Sequence, residues 1–102
     1  MAVPIDLAGT SAIVFGVANH RSIAWAIAQQ FHAAGARLTV TYQNERLGRT
    51  VLELVKEMDH TQAVECDVLD EASVASAIDA AAGTAPLMTV AHCIAFANKD
   101  DL

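Results

Sequence analysis

Residues 15–28 read FGVANHRSIAWAIA. An apolar residue gives way to a glycine and a polar loop, and then a serine opens an alternating alanine and isoleucine run. This is the layout of a strand-to-helix turn that can hold a phosphate. Gly16 permits a sharp turn and a close approach of ligand to backbone. Ser22 at the helix start can offer its hydroxyl and amide to an anion, aided by the helix dipole. The same residues also fit a plain tight turn in which Ser22 only caps its helix. The spacing is not G-x-G-x-x-G, since Ala18, Ser22 and Ala24 stand where further glycines would be expected. The G-K-[ST] of a P-loop is absent as well.

Outward from this turn, strand and helix patterns alternate. Residues 11–15 (SAIVF) form a short β-branched apolar run that reads as a buried parallel strand. Residues 22–34 read as a helix with Ile23, Ile27, Phe31 and Ala34 on its inner stripe, closed by Gly35. A second strand is predicted over 37–42 and a helix over 44–58, with Asn44 as N-cap and Leu47, Val51, Leu54, Val55 and Met58 facing inward. A third strand follows at 62–66, ending at Asp67. Asp70 then caps a helix over 71–82, with Val74, Ala77, Ile78 and Ala81 on one stripe, and a fourth strand spans 87–92 and runs on into CIAFA. This alternation predicts right-handed crossovers and an α/β, Rossmann-type, doubly wound parallel sheet of order 3-2-1-4. Its ligand crevice lies at the carboxyl ends of strands 1 and 4, where the winding reverses.

Bulk properties narrow the function. The 102 residues make one small domain, and 54% hydrophobic content argues against disorder. No apolar run approaches the roughly 18 residues of a membrane span, and the N-terminus lacks a basic region and long apolar core. A cytoplasmic protein is expected. A net charge of −6 with only six Lys and Arg offers no basic stripe, so nucleic acid is not an expected partner. Cys66 and Cys93 read as buried reduced thiols, and His20, His32, His60 and His92 have no metal-ligand spacing. No metal site is expected.

Gly16, Asp67 and Cys93–Ala95 each follow the carboxyl end of a strand, so the expected sheet brings them to one crevice. Gln43, just after strand 2, can bond ribose or adenine without repelling a 2′-phosphate, and Arg46 and Arg49 lie nearby. The choice between NADH and NADPH stays open on these residues. Asp67 and Val68 can cap an adenine, the carboxylate accepting from its exocyclic amine and Val68 packing on the ring. A strand-end turn aspartate fits Asp67 equally well.

Together, GVANHRSIAWAIA (16–28), TYQNERL (41–47), CDV (66–68) and AHCIAFANKDDL (91–102) resemble the bacterial enoyl-acyl-carrier-protein reductases of the short-chain dehydrogenase/reductase superfamily. The resemblance covers essentially the whole chain. It implies reduction of the trans-2 double bond of an enoyl thioester on acyl carrier protein, in fatty-acid elongation, with hydride from a nicotinamide cofactor, NADH with NADPH as the alternative. It further implies that Gly16, Ala18, Ser22 and Ile23 line the pyrophosphate and Gln43 the adenosine. Asp67 and Val68 would hold the adenine, and Cys93, Ile94 and Ala95 would follow the cofactor to its nicotinamide. Phe15 departs from the family's usual side chain and is expected to crowd the turn without abolishing it.

The family's proton-donating Tyr and cofactor-gripping Lys have no counterpart here. Tyr42 is the only tyrosine, it sits in a strand, and no Tyr-x₆-Lys pair exists. Hydride transfer needs a positioned acid or electrostatic partner for the enolate. The expectation is a single, incomplete dinucleotide-binding domain over 1–102, ending after the fourth strand and inactive alone. The alternatives are a non-catalytic nucleotide-binding module, or a split subunit completed by another chain. Either way the fourth strand, LMTVAHCIAF, is expected to be an open edge prone to self-association.

Overall fold

The computed structural model describes residues 6–18 and 21–92. Its elements run β1 Ser11–Phe15, α1 Ile23–Ala33, β2 Arg37–Tyr42, α2 Glu45–Val55, β3 Thr61–Glu65, α3 Glu71–Ala82 and β4 Leu87–His92. Every strand pairing is parallel and the sheet order is β3-β2-β1-β4, as the alternation predicts. From β1 the chain winds outward to β3, and α3 then carries it back to the far side of β1. The reversal leaves β1 and β4 as neighbours whose outgoing connections diverge.

The burial pattern follows the pleat. Ala12 and Val14 of β1 and Leu38 and Val40 of β2 face one layer, built from Ala24, Trp25 and Ala28 of α1 and Val51 and Val55 of α2. Ile13 and Phe15 face the opposite layer, against Ala77 and Ala81 of α3 and the free thiol of Cys66. Alanines dominate the inner positions of α1 and α3, which lets both helices approach the sheet closely.

Each helix start carries its own cap. The Ser22, Asn44 and Asp70 side chains accept from the N–H groups of Trp25, Leu47 and Ala72 respectively, each satisfying a donor that the helix leaves over. Gln62 ties the edge strand to both neighbours. Its amide donates to Thr39 Oγ1 at 2.9 Å and to the Ala80 carbonyl at 3.0 Å. No buried side-chain N or O among the described residues lacks a partner.

Three expectations are corrected. Ile78, read on the α3 stripe with Val74, Ala77 and Ala81, is exposed and stays out of the core. The inner stripe of α1 runs through Ala24, Trp25 and Ala28, while Ile27 and Phe31 only flank the core and Ile23 is 77% exposed. Small side chains win the position over β1 because a bulky residue there would hold the helix off the sheet. Helix α2 also ends at Val55 and not at Met58. The Met58 N–H turns back to the Val55 carbonyl at 2.9 Å, and the Met58 side chain still packs on the α1–α2 layer.

Helix α3 packs over β1, β2 and β3. Val90, paired with Ile13 and therefore on the α3 face, stays 56% exposed, and Met88 is 70% exposed. The Ile13→Ala variant should lose about 2–5 kcal/mol of stability through its cavity. Met88→Ala should stay within about 0.5 kcal/mol of the parent. Urea unfolding followed by the fluorescence of Trp25, the single tryptophan, separates the two.

Candidate functional site

Because the four strands are parallel, the chain leaves each of them at the same edge of the sheet. The β1–α1 connection begins at Gly16, whose φ is +92°. That left-handed conformation would cost an L side chain about 1–2 kcal/mol. Its N–H donates to Thr41 Oγ1 at 3.2 Å, and the next N–H, of buried Val17, donates to the Thr41 carbonyl at 2.9 Å. Ala18 follows, half-buried.

Ser22 is extended (φ −71°, ψ 147°) and caps α1, its Oγ accepting from the Trp25 N–H at 3.2 Å. The Ser22 carbonyl accepts from the Trp25 and Ala26 N–H groups. Ile23 and Ala24 therefore carry the helix-start amides that have no acceptor within the helix, at the positive end of its dipole. No acidic side chain lies in that first turn. The exposed Ile23 side chain stands beside it.

Gln43 follows β2 and is exposed. The Tyr42 carbonyl accepts from the Cys66 N–H at 2.8 Å, which keeps the β2 and β3 ends level. The Tyr42 ring lies against Gly48 of α2 so closely that a Cβ on Gly48 would stand 2.6 Å from Tyr42 Cε2. The only tyrosine is thus part of the wall between β2 and α2.

Asp67 is exposed and held at three points. Its N–H donates to Ser73 Oγ, its Oδ1 accepts from the Leu69 N–H, and its carbonyl accepts from the Asp70 N–H, each at 3.0 Å. Its Oδ2 stands outside this network. Val68 packs partly buried on the α3 layer near Val74. At the end of β4 the His92 ring tilts 44° against Phe15 with centroids 5.7 Å apart. Phe15 is 2% exposed, and the turn forms beside it.

The structure thus brings Gly16, Ala18, Ser22, Ile23, Gln43, Asp67 and Val68 to one edge of the sheet, all close to the ends of β1, β2 and β3. Cys93, Ile94 and Ala95 lie outside the described residues. Sequence reasoning missed Thr41, which holds the turn, and Ser73, which holds Asp67. A hydroxyl at an inward position of β2 does not single Thr41 out, because Thr39 shares it. A cavity of about 200 Å³ lined by Arg37, Leu38, His60, Thr61, Gln62 and Thr84 lies at the opposite, amino edge of the sheet. It takes no part in the carboxyl-edge site. Among the described residues, no group of three or more His, Cys, Asp or Glu is arranged to hold a metal ion.

The family described as Enoyl-(Acyl carrier protein) reductase matches residues 16–102. The Bacillus subtilis enoyl-[acyl-carrier-protein] reductase [NADH] FabI is 43% identical over 100 residues, which are 95% of this chain and 39% of that protein. The Bacillus cereus protein of the same name is 45% identical over 101 residues, 94% of this chain and 39% of its own length. The solved Bacillus cereus enoyl-acyl carrier protein reductase with NADP+ and indole naphthyridinone matches with a TM-score of 0.82 at 42% identity. It covers 95% of this chain and 39% of that one. The reductase of Anaplasma phagocytophilum in complex with NAD has a TM-score of 0.82 at 33% identity, covering 98% of this chain and 38% of that one. This chain spans about two fifths of the length of the curated relatives it matches.

Gly16→Ala should cost about 1–2 kcal/mol through its left-handed backbone, and Ser22→Ala about 1 kcal/mol through the lost cap. Both losses are readable as shifts of the urea midpoint.

Proposed function

This chain belongs to the enoyl-(acyl carrier protein) reductase family, and we propose that it is the nicotinamide-cofactor-binding front segment of such an enzyme, with NADH as its cofactor. The observation that carries this reading is the convergence at one sheet edge. A left-handed glycine turn, a capped helix start and a turn-held aspartate all stand where β1, β2 and β3 end. The relatives' names specify NADH, and two solved relatives were determined with NAD and with NADP+.

The donor set suits a diphosphate. The Gly16–Ala18 backbone has no Cβ at its sharpest point, the Ile23 and Ala24 amides face outward at a helix start, and the first turn carries no carboxylate to repel an anion. Gln43 is available to the adenosine side. Asp67 Oδ2 would accept from the adenine amine, with Val68 beneath the ring. Cys93, Ile94 and Ala95 would extend the site toward the nicotinamide. In a complete enzyme of this family, the bound cofactor would supply hydride to the trans-2 double bond of an enoyl thioester carried by acyl carrier protein.

This chain's own residues bind and orient. On this reading the described residues supply no proton donor for an enolate: Tyr42 is packed against Gly48, and no Tyr-x₆-Lys pair stands in the sequence. The domain is incomplete on this reading, and the chain alone binds cofactor without turning it over. Among the described residues no helix is long and apolar enough to cross a membrane, which suits a cytoplasmic role.

A second reading, a split subunit completed by another chain or by a second copy, draws on β4. Met88 and Val90 are exposed apolar residues on β4, which ends the sheet among the described strands. Val90→Lys should then lower the association seen by sedimentation. Calorimetric titration with NADH should give saturable binding, and Asp67→Ala should weaken it about ten-fold or more. Adding enoyl-acyl carrier protein should consume no NADH. No saturation at millimolar NADH would sink the cofactor reading, and turnover by the chain alone would sink the inactivity.

A further inference from the structure

The β1–β2 ladder has a definite phase. At its start the Arg37 N–H donates to the Thr10 carbonyl at 2.9 Å. A parallel ladder continued in that phase would bring the Gly16 N–H onto the Thr41 carbonyl. The chain departs from it at that point. Gly16 swings to φ +92°, the Val17 N–H occupies the Thr41 carbonyl, and the displaced Gly16 N–H is received by Thr41 Oγ1. Thr41 is 1% exposed, so its hydroxyl replaces the lost ladder acceptor where solvent has little access.

We propose that Thr41 is a positioning residue for the cofactor turn, its hydroxyl fixing the direction in which the chain leaves β1 toward the pyrophosphate. This rests on the cofactor reading above. One residue grips two consecutive N–H groups, one through its backbone and one through its side chain, so the peptide planes on both sides of Gly16 are fixed. A valine has nearly the same shape but cannot accept. It would leave the Gly16 N–H without a partner and free the turn to rotate.

Thr39 is the internal control. It lies two residues earlier on the same face of β2, is 0% exposed, and its hydroxyl also accepts a hydrogen bond, but from Gln62 and away from the turn.

The test compares Thr41→Val, Thr41→Ser and Thr39→Val in the full chain by two readouts. These are amide hydrogen exchange at Gly16 relative to Ile13 and Val14, and calorimetric titration with NADH. Thr41→Val should speed Gly16 exchange and weaken NADH, each by about ten-fold. Thr41→Ser should restore both to within about three-fold, since it keeps the hydroxyl. Thr39→Val should lower stability and leave both readouts unmoved. Should Thr41→Val fail to fold, Thr41→Ala against Thr41→Ser makes the same comparison. Unchanged Gly16 exchange in the hydroxyl-free variant overturns the proposal, as does an equal loss of NADH affinity in Thr39→Val. If the parent binds no NADH, the cofactor reading fails and with it the link to affinity. Gly16 exchange then still decides whether Thr41 holds the turn.

Discussion

Beyond Phe15 the chain must stop being a strand and climb onto one face of the sheet to begin α1. A parallel strand cannot do this without losing a ladder bond, and a buried N–H that loses its partner costs on the order of 1–3 kcal/mol. Here the loss is absorbed by two residues. Gly16 takes the left-handed backbone, and Thr41 supplies both the carbonyl that Val17 uses and the hydroxyl that Gly16 uses. On the role proposed for Thr41, this exchange sets the direction of the chain into Val17 and toward the helix-start amides at Ile23 and Ala24.

The alanines serve the same end from the helix side. Ala24 and Ala28 are 1% and 0% exposed against the sheet. Helix α1 therefore starts close to the carboxyl edge, with Trp25 filling the space beside them. Ile23, one residue before this inner stripe, is left pointing outward. An exposed isoleucine is a modest cost in isolation. At a helix start beside a glycine turn it becomes a partly apolar wall next to a set of polar donors, the mix that small-molecule sites use. Leu52, Leu69, Ile78, Met88 and Val90 are exposed as well, and for Val90 the cause is different. Paired with Ile13, Val90 lies on the α3 face beyond β1 to β3, the strands over which α3 packs.

Much of the fold was legible because its signals are local. Alternation and apolar runs marked the strands. Asn44 and Asp70 marked two helix starts and Gly35, at φ +95°, one helix end. The 3-2-1-4 order was expected as the classic arrangement of the doubly wound class, and the sheet has it. What escaped was set by tertiary packing. Helical periodicity gives a stripe but not its rotation, so Ile23 was assigned inward on hydrophobicity although close approach required the alanines. The end of α2 was read at Met58 because Met58 does face the core, and side-chain burial does not distinguish a last helical turn from a turn after it. The role of Thr41 depends on the phase of a ladder between segments 25 residues apart in sequence, and no local pattern carries that.

Asp67 shows how two readings that compete in the sequence can coexist in space. The turn role is visible: Oδ1 holds the Leu69 N–H, and Ser73 and Asp70 bond the backbone around it. These bonds use one carboxylate oxygen and immobilise the group. A surface aspartate free to rotate would lose conformational entropy on receiving a ligand amine, whereas one already fixed by its own turn has little left to lose. On the cofactor reading proposed above, the turn would preorganise the second oxygen. The ligand role proposed for Asp67 would draw on a different carboxylate oxygen from its turn role, so the two do not exclude one another.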